Sequence, residues 1–140
     1  MIAVKISPFS DPLGLESLAR VLLESSLVKI VAAVNTFPNA LLYDKGTPAI
    51  TPADGRGGMA GPALLGIGLG HVMTLRRIFG DIKGIIGIGG VRSGADVQSY
   101  RRAGADAVGV ATEFVRTENL GVFHDIVSEI LALSEIPSLA

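Results

Sequence analysis

Glycines at the end of a predicted buried strand are the clearest chemical signature in this sequence. The segment Gly87-Ile88-Gly89-Gly90-Val91-Arg92-Ser93-Gly94 follows the apolar pair Ile85-Ile86 and precedes a helix-like stretch. Glycines at such a turn let the main chain approach an anion closely, and the N–H groups that open the next helix supply donors and a favourable dipole. The pattern therefore predicts a phosphate-binding loop that includes Gly89 and Gly90.

A second loop of the same kind follows one strand–helix unit later. The apolar segment Ala107-Val108-Gly109-Val110 ends in Ala111-Thr112, which places a small residue and a hydroxyl where they close the same site. The last two strand–helix loops of (β/α)8 barrels often form a phosphate site in this way. We therefore expect Ala111 and Thr112 to contact the same anion as the first loop.

Polar side chains also follow the two earlier predicted strands. Lys5 interrupts the apolar run Ile2–Ile6, and Asn35-Thr36 directly follow Val28–Val34. A lysine at a strand end suits an anionic ligand or a developing negative charge, although a lysine on an edge strand that reaches solvent fits equally well. Asn35 and Thr36 offer a donor and an acceptor to an amide-like ring edge, whereas a turn-forming asparagine is the simpler interpretation.

Several kinds of chemistry find no support in the sequence. The chain has no cysteine, so disulfides, thiolate metal sites and a cysteine nucleophile are excluded within it. His71 and His124 lack acidic or histidine companions at metal-binding spacing, so no metal site is predicted. Ser7 and Ser10 have no histidine nearby in the sequence to act as a base. We find no catalytic acid–base pair in this chain.

Composition narrows the choice of partners and location. The formal net charge of -1 gives no basic patch for nucleic acid. No apolar run reaches the roughly 18 residues that a membrane span needs. The amino terminus lacks a signal-peptide pattern, which indicates a cytoplasmic protein.

Strand-like and helix-like segments alternate along the chain. The predicted strands are Ile2–Ile6, Val28–Val34, Gly84–Ile88 and Ala107–Val110, and the predicted helices are Leu13–Glu24, Leu64–Phe79, Ser93–Ala103 and one near Leu120–Leu133. Short apolar strands that alternate with helices are typical of a parallel sheet covered on both faces. The predicted fold class is α/β, with four parallel βα units that make half of a (β/α)8 TIM barrel. We expect residues 1–140 to form a single domain.

One long irregular segment, Asn35–Gly61, interrupts this alternation after the second strand. Two short apolar pieces within it, Ala40–Tyr43 and Ala49–Thr51, are candidates for a small hairpin. A connection of this length is uncommon unless it is functional, so we expect it to cover a site. Its end, Gly57-Gly58-Met59-Ala60-Gly61-Pro62, again allows close approach of the main chain to a ligand.

The chain is also unusually apolar for a protein that covers itself with polar surface. Hydrophobic residues make up 49% and charged residues 18% of the sequence, and the mean hydropathy is +0.51. A half-barrel leaves two strand edges that proteins normally pair or cover. We therefore expect a truncated barrel, or a half-barrel that associates as a homo-oligomer such as a dimer or with a chain that supplies the missing half.

Five motifs in order resemble the C-terminal half of the class 1 dihydroorotate dehydrogenases, which are flavoenzymes of pyrimidine biosynthesis with an FMN-binding barrel. The resemblance covers nearly the whole chain. The matching motifs are Val4-Lys5-Ile6-Ser7-Pro8, Val34-Asn35-Thr36, Gly57-Gly58-Met59-Ala60-Gly61-Pro62, Gly87-Ile88-Gly89-Gly90 and Ala111-Thr112.

The resemblance implies a role for each matching residue. Lys5 would lie near N1 and O2 of the flavin, and Asn35 and Thr36 would hydrogen-bond orotate or dihydroorotate. The residues implied to hold the FMN phosphate are Gly61, Gly89, Gly90, Ala111 and Thr112. In such enzymes a loop base takes a proton from dihydroorotate while a hydride passes to the flavin, which fumarate or another acceptor then reoxidises.

The sequence departs from the family pattern in ways that bear on activity. The first four barrel strands are absent from it, and with them the loop that carries the Cys or Ser base. We therefore expect binding of FMN with little or no turnover. Leu65-Gly66 stands where relatives commonly have Lys-Pro, and Ala111 replaces a glycine. Glycines at 66, 68 and 70 should each weaken their helix by up to about 1 kcal/mol relative to alanine.

Two alternatives remain open from the sequence. The first is a non-catalytic phosphate-binding or self-associating half-barrel module. The second is an enzyme of another phosphate-binding barrel class, which would bind a sugar phosphate or an imidazole phosphate instead of FMN.

Overall fold

The computed structural model describes residues 1–134 of the chain. The elements in chain order are β1 (Ile2–Ile6), α1 (Pro12–Glu24), β2 (Val28–Ala33), β3 (Phe37–Leu41), β4 (Tyr43–Asp44), β5 (Thr47–Pro48), β6 (Arg56–Met59), α2 (Leu65–Phe79), β7 (Gly84–Ile88), α3 (Gly94–Ala103), β8 (Ala107–Gly109), α4 (Thr112–Thr117) and α5 (Gly121–Ser134). Short 3₁₀ turns at Pro52–Gly55 and Pro62–Leu64 flank β6.

Four parallel strands form the central sheet, in the order β1-β2-β7-β8. Ile6 is level with Ala33, Ala33 with Gly87, and Ile88 with Gly109. The four carboxyl ends therefore lie along one edge of the sheet. This confirms the predicted α/β fold with a parallel four-stranded sheet.

Apolar side chains from the sheet and its helices form one core. Leu15, Ala19 and Leu22 recur on one face of α1, and Val31 and Ile85 at the centre of the sheet are fully buried. Asp11 caps α1, because its carboxylate accepts hydrogen bonds from the N–H groups that open the helix. The apolar periodicity therefore fixes both the helix and the face that it buries.

The pairing inside the long segment after β2 differs from the predicted hairpin. β3 pairs antiparallel with β6, while β4 and β5 form a separate small hairpin. Lys45 and Gly46 turn that hairpin with φ of 48° and 85°, the positive values that a two-residue turn of type I′ requires. Residues 49–51 form no strand, and Ala49 only donates its N–H to the Leu42 carbonyl.

One further difference from the predicted elements, and one agreement, concern the carboxyl end of the described region. The short helix α4 follows β8 directly, where the sequence pattern gave no helix. The predicted final helix is present as α5.

Among residues 1–134, no helix combines the length and apolar character that crossing a bilayer requires. The assignment of residues 1–140 to a single domain stays a prediction.

A buried lysine joins the start of β7 to the segment that leads into β2. Lys83 is only 4% exposed. Its ammonium donates hydrogen bonds of 2.6 Å to the carbonyls of Ser25 and Val28. A buried ammonium needs such partners to offset its lost hydration. The lysine therefore ties two adjacent strands together at the amino edge of the sheet.

Replacing this lysine should weaken the fold. Lys83→Met keeps much of the side-chain volume but leaves the two carbonyls without their donor, so we expect the free energy of unfolding to fall by about 1–3 kcal/mol. Urea denaturation would measure the change. Lys29→Met, at an exposed position of β2, is the matched control and should change stability little. Equal losses in the two variants would contradict this account of Lys83.

Candidate functional site

A cavity of about 230 Å³ opens at the carboxyl edge of the sheet. Its lining includes all eight site residues that the sequence predicts: Lys5, Asn35, Thr36, Gly61, Gly89, Gly90, Ala111 and Thr112. Each of the four strands contributes at or just beyond its carboxyl end. The topology therefore brings these residues to one place, while their roles toward a ligand stay predictions.

Main-chain hydrogen bonds hold the end of β2 between its neighbours. The Val34 N–H donates to the Ile88 carbonyl at 2.8 Å, and the Asn35 N–H donates to the Ile6 carbonyl at 2.8 Å. Pairing thus continues past Ala33 to both sides. The main-chain hydrogen bond of Asn35 holds its backbone at the cavity wall, and this fixes the position of its Cα atom.

Three glycines of the cavity wall adopt conformations that other residues rarely take. Gly61, Gly89 and Gly90 have φ of 92°, 125° and 73°. A Cβ atom on Gly90 would lie 2.6 Å from the main-chain nitrogen of Leu65, at the start of α2. A Cβ on Gly61 would meet the Thr112 methyl at 3.7 Å. The two glycine loops and the loop that carries Thr112 therefore contribute to the same cavity wall.

Thr36 packs directly against the main chain of β6. A Cβ atom on Gly58 would lie 2.0 Å from the Thr36 hydroxyl oxygen, so only glycine fits at that position. From the long segment, the cavity lining includes Asn35, Thr36, Ala60 and Gly61, so both ends of the segment reach the cavity. The expectation that Asn35–Gly61 covers a site stays a prediction.

Carboxylates occupy the N–H groups that open α3. Asp96 accepts from the N–H groups of Arg92 and Ser93 at 2.9 and 3.1 Å, and Ser93 accepts from the Asp96 N–H. Glu129, on α5, accepts from the Gly94 N–H at 2.6 Å. The sequence analysis assigned these helix-opening donors to an anion, whereas the structure pairs them internally. The glycine loop ahead of the helix is what remains for a ligand.

Three cations and one carboxylate add charge to the cavity lining. Lys5, Arg92 and Arg116 lie with Glu113 around it. Arg116 and Glu113 form an ion pair at 2.5 Å. The hydrogen bond from Arg116 holds the pKa of the Glu113 carboxyl below its ordinary value. The lining keeps a formal excess of positive charge, which favours an anionic ligand.

The sequence analysis did not assign Arg116 and Glu113 to the site. Both lie on α4, and a six-residue helix is too short for apolar periodicity to reveal. Arg92 lies within the segment Gly87–Gly94, so its place in that loop could have identified it as a residue of the cavity lining.

The histidine expected at a core edge links α2 to the segment between β1 and α1. His71 on α2 is 7% exposed, its Nε2 accepts from the Phe9 N–H, and its Nδ1 pairs with the Ile67 carbonyl, each at 2.8 Å. Within residues 1–134, no group of three or more His, Asp or Glu side chains is arranged to hold a metal ion. Both ring nitrogens of His71 are therefore already used.

Comparison with known proteins gives the family. The family model for dihydroorotate dehydrogenase matches residues 1–133. The chain belongs to the dihydroorotate dehydrogenase family. The matched range contains all four strands of the central sheet and every residue of the cavity lining.

Similar curated proteins carry three different names within this family. The catalytic subunit of dihydroorotate dehydrogenase B (NAD(+)) from Methanopyrus kandleri is 39% identical over 111 residues, which is 79% of this chain and 35% of the relative. Dihydroorotate dehydrogenase (fumarate) from Trypanosoma cruzi is 35% identical over 132 residues, 93% of this chain and 41% of the relative. Dihydroorotate dehydrogenase (quinone) from Leptothrix cholodnii is 34% identical over 112 residues, 80% of this chain and 31% of the relative.

A solved structure gives the same fold. The ligand-free dihydroorotate dehydrogenase from Eimeria tenella superposes with a TM-score of 0.74 at 25% identity, covering 94% of this chain and 35% of that chain. The chain thus spans less than half the length of the relatives that it matches. The part that it matches contains the strand ends described above.

Alanine at position 90 tests the geometry of the glycine wall. Gly90→Ala forces a side chain into a positive-φ conformation and against Leu65, so we expect a loss of about 1–3 kcal/mol in the free energy of unfolding. Gly70→Ala is the control: Gly70 lies inside α2, and an added Cβ meets nothing within 4 Å. That variant should gain about 0.5–1 kcal/mol. Urea denaturation of both variants would measure these changes. An unchanged free energy of unfolding in Gly90→Ala would contradict the close approach of Gly90 to Leu65.

Proposed function

We propose that this chain is the FMN-phosphate-binding part of a class 1 dihydroorotate dehydrogenase, a cytoplasmic enzyme of pyrimidine biosynthesis that oxidises dihydroorotate to orotate. One observation carries the proposal. The carboxyl ends of all four parallel strands meet at one cavity, and every residue that the family resemblance singles out lies in its lining. Substrate and cofactor sites of α/β folds lie at this edge.

The residues present fit the phosphate end of FMN. The three positive-φ glycines leave the wall without Cβ atoms, which permits close approach of main-chain groups to a phosphate. Thr112 adds a hydroxyl, and Arg92 and Arg116 add charge. We propose that these groups hold the phosphate, with Gly61, Gly89, Gly90 and Ala111 forming the wall around it.

The other end of the lining fits the remaining roles. Lys5 lies on β1, and Thr112 follows β8; these are the two outermost strands of the sheet, so the two residues lie at opposite sides of the cavity lining. We propose that its ammonium stabilises negative charge near N1 and O2 of the flavin, and that Asn35 and Thr36 orient dihydroorotate by hydrogen bonds. FMN, when bound, supplies the hydride acceptor for the oxidation.

The cavity is small for a complete flavin site. Pockets for small molecules commonly measure about 300–1,000 Å³. A cavity of about 230 Å³ fits only part of such a ligand. This supports the proposal that further strands of a complete barrel, outside these residues, enclose the rest of FMN and of the substrate.

Proton abstraction from dihydroorotate needs a base that this lining does not offer among the described residues. Glu113 is the carboxylate in the lining, and Arg116 lowers its pKa, which makes it a weaker base. The hydroxyls of Thr36 and Thr112 have no adjacent group in the lining that could activate them. We propose that the base of the reaction lies outside these 140 residues.

Flavin binding tests the proposed cofactor. On addition of this chain, the fluorescence of FMN should be quenched or become more polarised. Riboflavin, which lacks the phosphate, should bind at least about tenfold more weakly. Thr112→Val should weaken FMN binding about tenfold and leave riboflavin binding unchanged, because only FMN uses the hydroxyl. Thr47→Val, in the β4–β5 hairpin, is the control. Equal affinities of the chain for FMN and riboflavin would reject the phosphate assignment.

Addition of dihydroorotate to the FMN-loaded chain tests the proposed division of roles. We expect dihydroorotate to bleach the visible absorbance of the flavin at least about 10²- to 10⁴-fold more slowly than a typical turnover of about 10 s⁻¹, since that factor is lost with general-base catalysis alone. Chemical reduction by dithionite serves as the positive control for bleaching. Rapid bleaching by dihydroorotate would show that a base is present in this chain after all.

A second candidate is a self-associating half-barrel without catalytic activity. It is supported by the sheet order, which leaves β1 and β8 at the edges, and by Ile2 on β1, which is 47% exposed. Failure to bind any flavin would favour this candidate over the enzyme.

A further inference from the structure

We propose that Tyr100 is a positioning residue for the phosphate loop, whose hydroxyl holds the Gly89 carbonyl and so fixes the peptide group between Gly89 and Gly90 for the anion. The inference rests on the proposed function, because it takes the phosphate of FMN as the ligand of that loop. Tyr100 does not line the cavity, so it would act through the main chain that does.

The hydroxyl of Tyr100 makes one well-formed hydrogen bond. Tyr100 lies on α3, its side chain is fully buried, and its Oη donates to the Gly89 carbonyl at 2.8 Å. Burial, with a smaller contribution from Asp96, raises the pKa of Tyr100 to about 12. The phenol therefore stays protonated, and remains a donor, across the physiological pH range.

Two glycines make room for this side chain, and they serve different parts of it. A Cβ atom on Gly87 of β7 would lie 2.3 Å from the ring carbon Cδ1. A Cβ atom on Gly68 of α2 would lie 1.9 Å from Oη, 3.0 Å from the ring carbon Cζ and 3.1 Å from the Ile88 carbonyl oxygen of β7. Gly87 thus accommodates the ring, whereas Gly68 accommodates chiefly the hydroxyl. A phenylalanine in the same place would need far less of that space.

This requirement accounts for one of the three glycines of α2. Glycine disfavours a helix interior, and α2 contains it at position 68. If the tyrosine only filled the core, phenylalanine and alanine would serve at positions 100 and 68 with a more stable helix. The pair Gly68 and Tyr100 is instead suited to bringing a hydroxyl to the Gly89 carbonyl.

Planarity of the peptide group carries the effect to the cavity. The C=O of Gly89 and the N–H of Gly90 belong to one trans peptide unit, so they point in opposite directions. Fixing the carbonyl toward Tyr100 therefore fixes the Gly90 N–H away from it. Both residues are glycines with soft torsions, and without the hydrogen bond the unit would turn at little cost. Tyr100 therefore orders the loop before a ligand arrives.

Tyr100→Phe tests the inference through binding and not activity. We expect the dissociation constant for FMN to rise about tenfold, equal to about 1.4 kcal/mol, while that for riboflavin stays unchanged. In the ligand-free chain, the backbone order parameter of the Gly90 amide should fall below its value in the parent, as measured by NMR relaxation. This second readout needs no ligand, so it separates a failure of the inference from a failure of the FMN proposal.

A double variant separates positioning from packing. Gly68→Ala combined with Tyr100→Phe fills the space that the hydroxyl leaves, with shifts of a few tenths of an ångström at the ring and at the Ile88 carbonyl, and should recover part of the stability to urea. FMN affinity should stay about tenfold below that of the parent, because the Gly89 carbonyl still lacks its donor. An unchanged Gly90 order parameter in Tyr100→Phe, or full recovery of FMN affinity in the double variant, would overturn the inference and leave Tyr100 a core aromatic.

Discussion

Contacts that leave no room for a Cβ atom hold the carboxyl edge of the sheet together. A Cβ would approach a neighbouring atom to 1.9 Å at Gly68, 2.3 Å at Gly87 and 2.6 Å at Gly90. Helices α2 and α3 can therefore come close to β7 only because these residues are glycines. Every other feature of the cavity depends on that closeness, since it sets where the glycine loop and the start of α2 lie relative to Thr112. Packing this tight allows displacements of only a few tenths of an ångström.

Charge at this edge is arranged around the same loop. Asp96 and Glu129 satisfy the N–H groups that open α3, so the dipole of that helix already has its counter-charges. The cations of the lining, Lys5, Arg92 and Arg116, exceed its one carboxylate. Attraction for an anion therefore comes from side-chain cations and from the loop, and little is left for the helix opening. Arg116 contributes less than its formal charge, because Glu113 pairs with it.

The periodic parts of the fold were predictable from the sequence, whereas the long-range contacts were not. The apolar runs of β1, β2, β7 and β8 predicted the parallel sheet, and position at strand ends predicted which polar residues and glycines gather at the cavity. The pairing of β3 with β6 joins two short segments in which apolar and polar residues do not alternate regularly, so no local pattern specifies their register. The Glu129 carboxylate accepts a hydrogen bond from the Gly94 N–H, which is 35 residues away in the sequence. No local pattern around either residue predicts that contact. Gly68 looked only like a defect in its helix, because the Tyr100 hydroxyl that needs it lies on another element.

The order of these elements along the chain bears on the proposed separation of binding from reactivity. The groups proposed to hold the phosphate come from residues 61–116, on loops that follow adjacent strands, so a partial sheet brings them together without help. The base that the proposed reaction needs would instead act from outside this lining. An arc of parallel strands can thus keep an ordered anion site after the reactive side of the cavity is taken away. The Tyr100 hydrogen bond lies wholly inside this arc, so the order that it imposes on the loop does not depend on the rest of a barrel.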